Sequence, residues 1–263
     1  MDLHLKEKVI VVTGGASGIG QSIAEGLVSE GAHVYVLDIK EPVPEKENES
    51  RKAGTLMYIQ IDLRDKEACG RAVDQIVKKF DRIDGLVNNA GLNDGVSLEQ
   101  GNADQFMSSL EKNVIHYHTM TNLVLPFLKN SRGTIVNICS KVAETGQGGT
   151  SAYAAANGVR FELTRQWAAA YRPSGIRVNA VVVAECWTPQ YEWWISQQEN
   201  PKGKLNEIVS RIPLGNRMTA TEEVASTVIF LLSEKSSAFN SEFFHVDGGY
   251  VHLDRKILPV NVQ

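Results

Sequence analysis

The sequence predicts an α/β fold: a doubly wound parallel sheet with helices on both faces, built as a single domain that carries a small cap. Three observations carry this prediction. Short runs rich in Val, Ile and Leu alternate with longer stretches of helical spacing to about position 250, the pattern of successive βαβ units. The runs Val9–Val12 and Val181–Val183 are apolar without alternation, as expected of strands covered on both faces. A glycine-rich turn follows directly on the first of these runs. The length, 263 residues, is within the range of one α/β domain.

Taken in order, Val9–Val12 is the first strand, Thr13 to Gly20 the turn, and Ile19–Glu30 the first helix. His33–Leu37 is the second strand. Lys40 to Gly54, polar and with two prolines, reads as a surface excursion before the third strand, Leu56–Ile61. Lys66–Phe80 has helical spacing, Gly85–Val87 is strand-like, and Asp104–Leu128 reads as one long helix. Thr134–Ile138, the helical Ser151–Tyr171 and the strand Arg177–Val183 follow. Residues 184–216 interrupt the rhythm and hold Trp187, Tyr191, Trp193 and Trp194. Such an insertion after the carboxyl end of a strand lies where open α/β sheets bind ligands, so it is predicted as a cap. Glu222–Ser233 and Phe243–Val246 give the last helix and strand.

The chain is 43% hydrophobic and 22% charged, with net charge -4 and a pI of about 5.9. That balance argues against nucleic acid or an anionic membrane as the main partner, since both favour basic faces. The opening Met1 to Lys6 has no apolar core of signal-peptide length, and the run Val178 to Ala184 is too short to span a bilayer. Cys69, Cys139 and Cys186 are widely spaced with no CxxC pair, so neither a disulfide framework nor a zinc site is expected. A cytoplasmic protein is expected.

The turn reads Thr13-Gly14-Gly15-Ala16-Ser17-Gly18-Ile19-Gly20. A strand, a glycine-rich turn and a helix amino terminus together make an anion site, because free N–H groups and the helix dipole face a pyrophosphate while glycines let the backbone approach. Gly14, Ser17, Gly18, Ile19 and Gly20 are the candidates. A tight turn without a ligand would look the same, but Asp38 closes the second strand 18 residues after Gly20. A carboxylate there hydrogen-bonds the adenosine ribose hydroxyls. It also repels a 2′-phosphate, so a Rossmann-type fold binding NAD rather than NADP is expected.

With these motifs the sequence resembles the short-chain dehydrogenase/reductase family over almost its whole length. Thr13 to Gly20 resembles the family's TGxxxGxG turn, Asp62-Leu63 stands where members contact adenine, and Asn88-Asn89-Ala90-Gly91 matches the NNAG segment. Asn113, Ser140 and Tyr153 match the catalytic Asn, Ser and Tyr, with Ser140 thirteen residues before Tyr153. A narrower resemblance, to bacterial L-fucose dehydrogenases and related aldose dehydrogenases, lies in residues 89–95, 145–148, Glu185 with Thr188-Pro189, and the ending Val246-Asp247-Gly248-Gly249-Tyr250-Val251-His252-Leu253-Asp254-Arg255.

The resemblance implies a hydride-transferring oxidoreductase that uses NAD on a sugar or polyol hydroxyl, for instance taking an L-fucose-like aldose to its lactone. It implies Tyr153 as acid/base, Ser140 on the reacting oxygen, and Asn113 holding a water of the proton relay. Asn89, Ala90, Gly91 and Thr188 would contact the cofactor. One position departs from the pattern: the lysine of YxxxK is Asn157. That lysine binds the nicotinamide ribose and stabilises tyrosinate from the same helix face. Asn157 could still hydrogen-bond a ribose but carries no charge. A phenol has a pKa of about 10, so activity near neutral pH is expected to be weakened. Another cation, Lys141 or Arg160, could substitute; the chain could bind NAD without turnover; or the residue could have been introduced deliberately. Val183-Ala184 also stands where the family has Pro-Gly.

On the substrate side, Trp187 and Tyr191, with Trp193 and Trp194, could stack on sugar faces, while Asn93, Lys141, Glu144, Gln147 and Glu185 could read hydroxyls. Several of these aromatics could equally pack the cap onto the core or a neighbouring subunit. His116 and His118 lie two apart and point to different sides of a helix, so no metal is expected. Beside the sugar dehydrogenase stand a 3-ketoacyl-type reductase and a catalytically impaired NAD-binding pseudoenzyme. By the family resemblance, a homo-oligomer (dimer or tetramer) is expected through the two long helices.

Overall fold

All seven predicted strands form, and four run past the apolar residues that announced them. In a computed structural model describing residues 2–40 and 54–253, the strands are β1 (Val9–Thr13), β2 (His33–Asp38), β3 (Thr55–Gln60), β4 (Gly85–Asn88), β5 (Thr134–Ser140), β6 (Arg177–Val183) and β7 (Phe243–Val246). Most of the polar stretch Lys40 to Gly54, and Asp254-Arg255 of the closing segment, lie outside the described residues. The added strand ends are Thr13, Asp38, Asn88 and the pair Cys139-Ser140. Backbone pairing carries on through these residues while the apolar pattern stops.

The strands form one parallel sheet in the order β3-β2-β1-β4-β5-β6-β7, a Rossmann-type doubly wound arrangement. Successive strand residues face opposite sides, which sorts the core into two layers. Ile10 and Val12 of β1 pack with α1 (Gly18–Ser29) and α8 (Thr221–Leu232) through Ile23, Leu27, Val224 and Val228. Val9 and Val11 face the other side, where α2 (Lys66–Phe80), α4 (His116–Ser131) and α5 (Ser151–Tyr171) supply Ile76, Tyr117, Met120, Val124 and Trp167. Burying a side chain of this size contributes about 1.5–3 kcal/mol.

The long helix expected over Asp104–Leu128 is divided. A first helix, α3 (Ala103–Leu110), is started by a capping box between Asn102 and Gln105. It passes into a π turn over Glu111–Ile115 before α4 begins. The π turn inserts an extra residue into the helical ladder, a distortion often found at functional sites, and it holds Asn113. Hydrophobic periodicity is nearly blind to one inserted residue. The cap is two short helices, α6 (Pro189–Ser196) and α7 (Pro201–Val209). Both begin with proline, whose missing N–H costs nothing in a first turn.

The chain leaves β1 toward β2 on one side, while β4 lies on the other. The loops after β1 and β4 therefore diverge and leave a crevice at the carboxyl ends of the strands.

Candidate active site

A cleft of about 930 Å³ occupies that crevice. Gly14, Ser17, Gly18, Ile19 and Gly20 line its floor, Asp38, Asp62 and Leu63 one end, and Ser140, Tyr153, Arg160, Thr188 and Tyr191 the other. Gly14 has φ +66, and a Cβ there would lie 2.7 Å from the Ala90 Cα; a side chain at Gly20 would run into the Gly14 carbonyl. Ser17 is the extended N-cap of α1 and makes no side-chain cap bond. The first N–H groups of α1 have no partner within the helix, and this cap does not supply one. Asn89 fixes the turn by donating from Nδ2 to the carbonyls of Thr13 (3.0 Å) and Gly14 (2.8 Å). The Thr13 hydroxyl oxygen accepts from the N–H groups of Asn89 (3.0 Å) and Ala90 (3.2 Å). Thr188 packs beside the same turn, since a Cβ on Gly18 would meet its side chain at 3.4 Å. A narrow backbone cradle at a helix start with open donors suits a pyrophosphate.

Asp38 accepts from the backbone N–H groups of Ala16 (3.0 Å) and Lys40 (2.9 Å), so its carboxylate is fixed at the cleft wall. Asp62 accepts from the Arg64 side chain, Nε at 3.0 Å and Nη2 at 2.5 Å. Those bonds hold its carboxyl below the usual carboxylate range.

Ser140 is the last residue of β5 and Tyr153 lies in the first turn of α5. The Ser140 hydroxyl oxygen accepts from the Val142 N–H at 3.5 Å. Two predicted catalytic residues sit behind this wall. Asn113 is fully buried; its Oδ1 accepts from the Leu92 N–H (2.7 Å) and its Nδ2 donates to the Ser109 carbonyl (3.0 Å). Asn157 is also fully buried and is not among the cleft-lining residues. Its Oδ1 accepts from the Ser140 N–H (2.9 Å) and from Arg160 Nη1 (3.2 Å), and its Nδ2 donates to the Tyr153 carbonyl (2.9 Å). The Asn157 amide thus joins the end of β5 to the start of α5.

Arg160 reaches the cleft although only 2% exposed. Its Nε donates to the Asn113 carbonyl at 2.8 Å, Nη2 donates to the same oxygen, and Nη1 donates to the Ile138 carbonyl at 3.2 Å. The guanidinium carbon lies 4.4 Å from the Tyr117 ring centre and 6.0 Å from that of Tyr153. His116, another cleft residue, donates from Nε2 to the Lys112 carbonyl (3.0 Å), which makes Nε2 the protonated nitrogen; Nδ1 is buried without a partner. Burial first and the Arg160 charge second push its imidazole down to about 3. In the sequence His116 stands out only as half of a possible metal pair with His118. The π turn that aims it at the cleft leaves no compositional signal.

The expected substrate residues separate. Lys141 is ion-paired with Glu185 and lies 3.7 Å from the Tyr250 ring centre; the other Glu185 oxygen accepts from the Tyr191 hydroxyl at 2.6 Å. Burial first and the Glu185 charge second raise the Tyr191 pKa. Trp187 and Trp193 are 38% and 64% exposed, so they rim the cap rather than fill its core, as Asn93 and Gln147 rim their loops. Glu144 turns to His245, 2.7 Å away. With His252 these residues place ligand atoms within 4.8 Å of one another, a grouping of carboxylate and imidazoles that could hold a metal ion. Sequence spacing did not show it, because the histidines come from the last strand and the loop beyond. Cys69, Cys139 and Cys186 are buried free thiols. Among the described residues no helix is long and apolar enough to cross a membrane.

The family model described as enoyl-(acyl carrier protein) reductase matches residues 14–251. The chain is 33% identical to the L-fucose dehydrogenase of Bos taurus over 250 residues, covering 95% of this chain and 92% of that one. Among solved structures, the Cj0485 dehydrogenase superposes with a TM-score of 0.92 at 41% identity, covering 98% of this chain and 99% of that chain. The ligand-free aldohexose dehydrogenase of Thermoplasma acidophilum superposes with a TM-score of 0.89 at 29% identity, covering 98% and 100%. The chain belongs to the short-chain dehydrogenase/reductase family.

Proposed function

We propose that this short-chain dehydrogenase/reductase is an NAD-dependent dehydrogenase of a sugar or polyol, with an L-fucose-like aldose as the leading substrate class. The observation that carries the reading is a single cleft whose one end has the glycine cradle and Asp38 and whose other end has Ser140 and Tyr153. The open first turn of α1 would hold the pyrophosphate, Asp38 the adenosine ribose, Asp62 and Leu63 the adenine side, and Asn89 to Gly91 with Thr188 the nicotinamide half. A carboxylate at Asp38 disfavours a 2′-phosphate by charge, which supports NAD over NADP. The bound nicotinamide supplies the hydride acceptor.

The protein's own work is at the substrate hydroxyl. Ser140 donates a hydrogen bond to the reacting oxygen and holds it at Tyr153. The tyrosine oxygen takes the hydroxyl proton as the carbon gives up its hydride, so the alcohol becomes a carbonyl and one proton stays on the protein. General acid–base help of this kind contributes about 10²–10⁴-fold. The cleft-lining aromatics Tyr191 and Trp193 suit the C–H face of a sugar. The sugar-dehydrogenase relatives support the substrate class, and the buried free thiols suit the reducing cytoplasm. Exposed apolar residues, Met107 on α3, Ile115 in the π turn and Val159 on α5, support assembly as a homo-oligomer.

The test is NADH formation across a panel of aldoses and polyols, with NADPH oxidation by 3-ketoacyl thioesters run beside it. The family model's acyl-carrier description favours that second chemistry. Turnover of an aldose with NAD, abolished by Tyr153→Phe, is expected. Faster consumption of ketoacyl thioesters with NADPH would replace the reading with a reductase.

A further inference from the structure

We propose that Arg160 supplies the fixed positive charge beside Tyr153 that Asn157 does not carry, and that Lys141 does not. The inference rests on the dehydrogenase reading above and names the cation of that same site.

Burying a charge is costly, and proteins ordinarily offset the cost with a counter-ion. Arg160 is buried without one. Every acceptor of its guanidinium is a neutral oxygen: the carbonyls of Asn113 and Ile138 and the amide oxygens of Asn157 and Asn113. No carboxylate is paired with it among the described residues. A guanidinium does not give up its proton near neutral pH, so a full positive charge stands at the cleft wall. The negative charge it lacks is that of the Tyr153 tyrosinate, the form able to take the substrate's hydroxyl proton.

The surroundings are shaped for this group. Residues 157 and 160 are three apart on α5 and share a face. Asn157 Oδ1 receives Arg160 Nη1, while Asn157 Nδ2 holds the Tyr153 carbonyl. The short amide therefore connects the tyrosine to a cation based one turn further along the helix. The π turn presents the Asn113 carbonyl to Nε and Nη2. A side chain at position 91 would lie 2.7 Å from Arg160 Nη2 and 3.2 Å from Asn113 Oδ1, so Gly91 leaves the guanidinium its room. The titratable neighbours are His116 and Tyr117 from the start of α4, Cys139 from β5, and Tyr153 on its own helix. His116 is held neutral down to about 3, burial pushes the Cys139 thiol up to about 12, and burial raises Tyr117. None of these three supplies an anion near neutral pH. Lys141 is placed otherwise: Glu185 neutralises it, and its ammonium covers Tyr250.

The test compares Arg160→Met, Lys141→Met and the double variant Asn157→Lys/Arg160→Met with the parent protein. Two readouts are used. One is the tyrosinate absorbance of the cofactor-free protein against pH, with the part due to Tyr153 isolated by Tyr153→Phe. The other is the pH profile of NADH formation. The proposal expects Arg160→Met to move both toward alkaline pH by a unit or more, a rate loss of about tenfold or more at neutral pH. The double variant should return them, and Lys141→Met should leave the absorbance titration in place. If Arg160→Met does not fold, Arg160→Lys must keep the parent titration while the double variant keeps it as well. An unmoved titration in Arg160→Met, or one moved by Lys141→Met instead, overturns the proposal. Because the absorbance is read without substrate, the charge assignment can stand even if every sugar fails, and only the dehydrogenase reading would then fall.

Discussion

Replacing Asp38 by Asn should shift the discrimination between the two nicotinamide dinucleotides toward NADPH. The side chain closes β2, lines the cleft and is held by the N–H groups of Ala16 and Lys40 at 3.0 and 2.9 Å. Asn is nearly the same shape and can keep an oxygen toward one of those donors, so the wall should survive. Two quantities change. Hydrogen bonds from ribose hydroxyls to a charged acceptor contribute about 1.5–3 kcal/mol, against about 0.5–1.5 for a neutral one, so NADH should weaken by about tenfold. The repulsion of a 2′-phosphate also disappears. Two unit charges 5 Å apart interact by about 3 kcal/mol at an effective dielectric of 20, and the partial exposure of Asp38 reduces this to about 1–2 kcal/mol. The ratio of NADH to NADPH affinity should therefore move toward NADPH by about a hundredfold. Titrating nucleotide fluorescence with each cofactor, for parent and variant, measures the ratio directly. An unchanged ratio, or tighter NADPH binding by the parent, would refute the placement of Asp38 at the adenosine ribose.

Further consequences are specific to the charges in the cleft. Asn157→Lys alone should not accelerate turnover: it brings a second cation beside Arg160 and removes the acceptor of the Ser140 N–H, at a cost of about 1–3 kcal/mol that a lowered Tm would show; a large gain at neutral pH would contradict this. Lys141→Met should leave the Glu185 carboxylate without its cation and destabilise the fold by about 3–5 kcal/mol, read as a shift of the urea midpoint, whereas Lys141→Met with Glu185→Gln should recover most of it. His116 has its folded pKa depressed from 6.5 to about 3. Between those values the unfolded chain binds the extra proton, so stability falls as pH drops through this window. The variant His116→Gln should lose that part of the acid sensitivity, and an unaltered stability profile would show that the imidazole is not held neutral.

Much of this architecture was legible because apolar runs and helical spacing report burial directly. Val9–Val12 and Val181–Val183 had to be strands covered on both faces, and alternate residues of each do pack into different core clusters: Ile10 and Val12 against Val9 and Val11, and Val181 and Val183 against Val182. The glycine turn and Asp38 were legible for the same reason, since their chemistry is local: each needs a particular residue at one end of a strand. What spacing could not show depends on distance through space. Arg160 and Asn157 are visible in the sequence as a missing lysine and a nearby arginine, but their partners Asn113 and Ile138 come from other elements. The division of the helix at Asn113 was missed because one inserted residue hardly changes hydrophobic periodicity. The pairing of Lys141 with Glu185, and of Glu144 with His245, joins residues 44 and 101 apart in the chain, a separation at which hydroxyl-reading residues and structural ion pairs look alike.

The most direct test of the central claim is to follow the hydride itself. An aldose carrying deuterium at the carbon to be oxidised is incubated with NAD and the protein, and the NADH formed is weighed by mass spectrometry. The account predicts one deuterium per NADH with the parent protein and no labelled NADH with Tyr153→Phe, although that variant still binds NAD. If NAD binds and no aldose or polyol in the panel passes its deuterium to it, or if Tyr153→Phe passes it as fast as the parent, the dehydrogenase assignment and the role of this cleft are wrong.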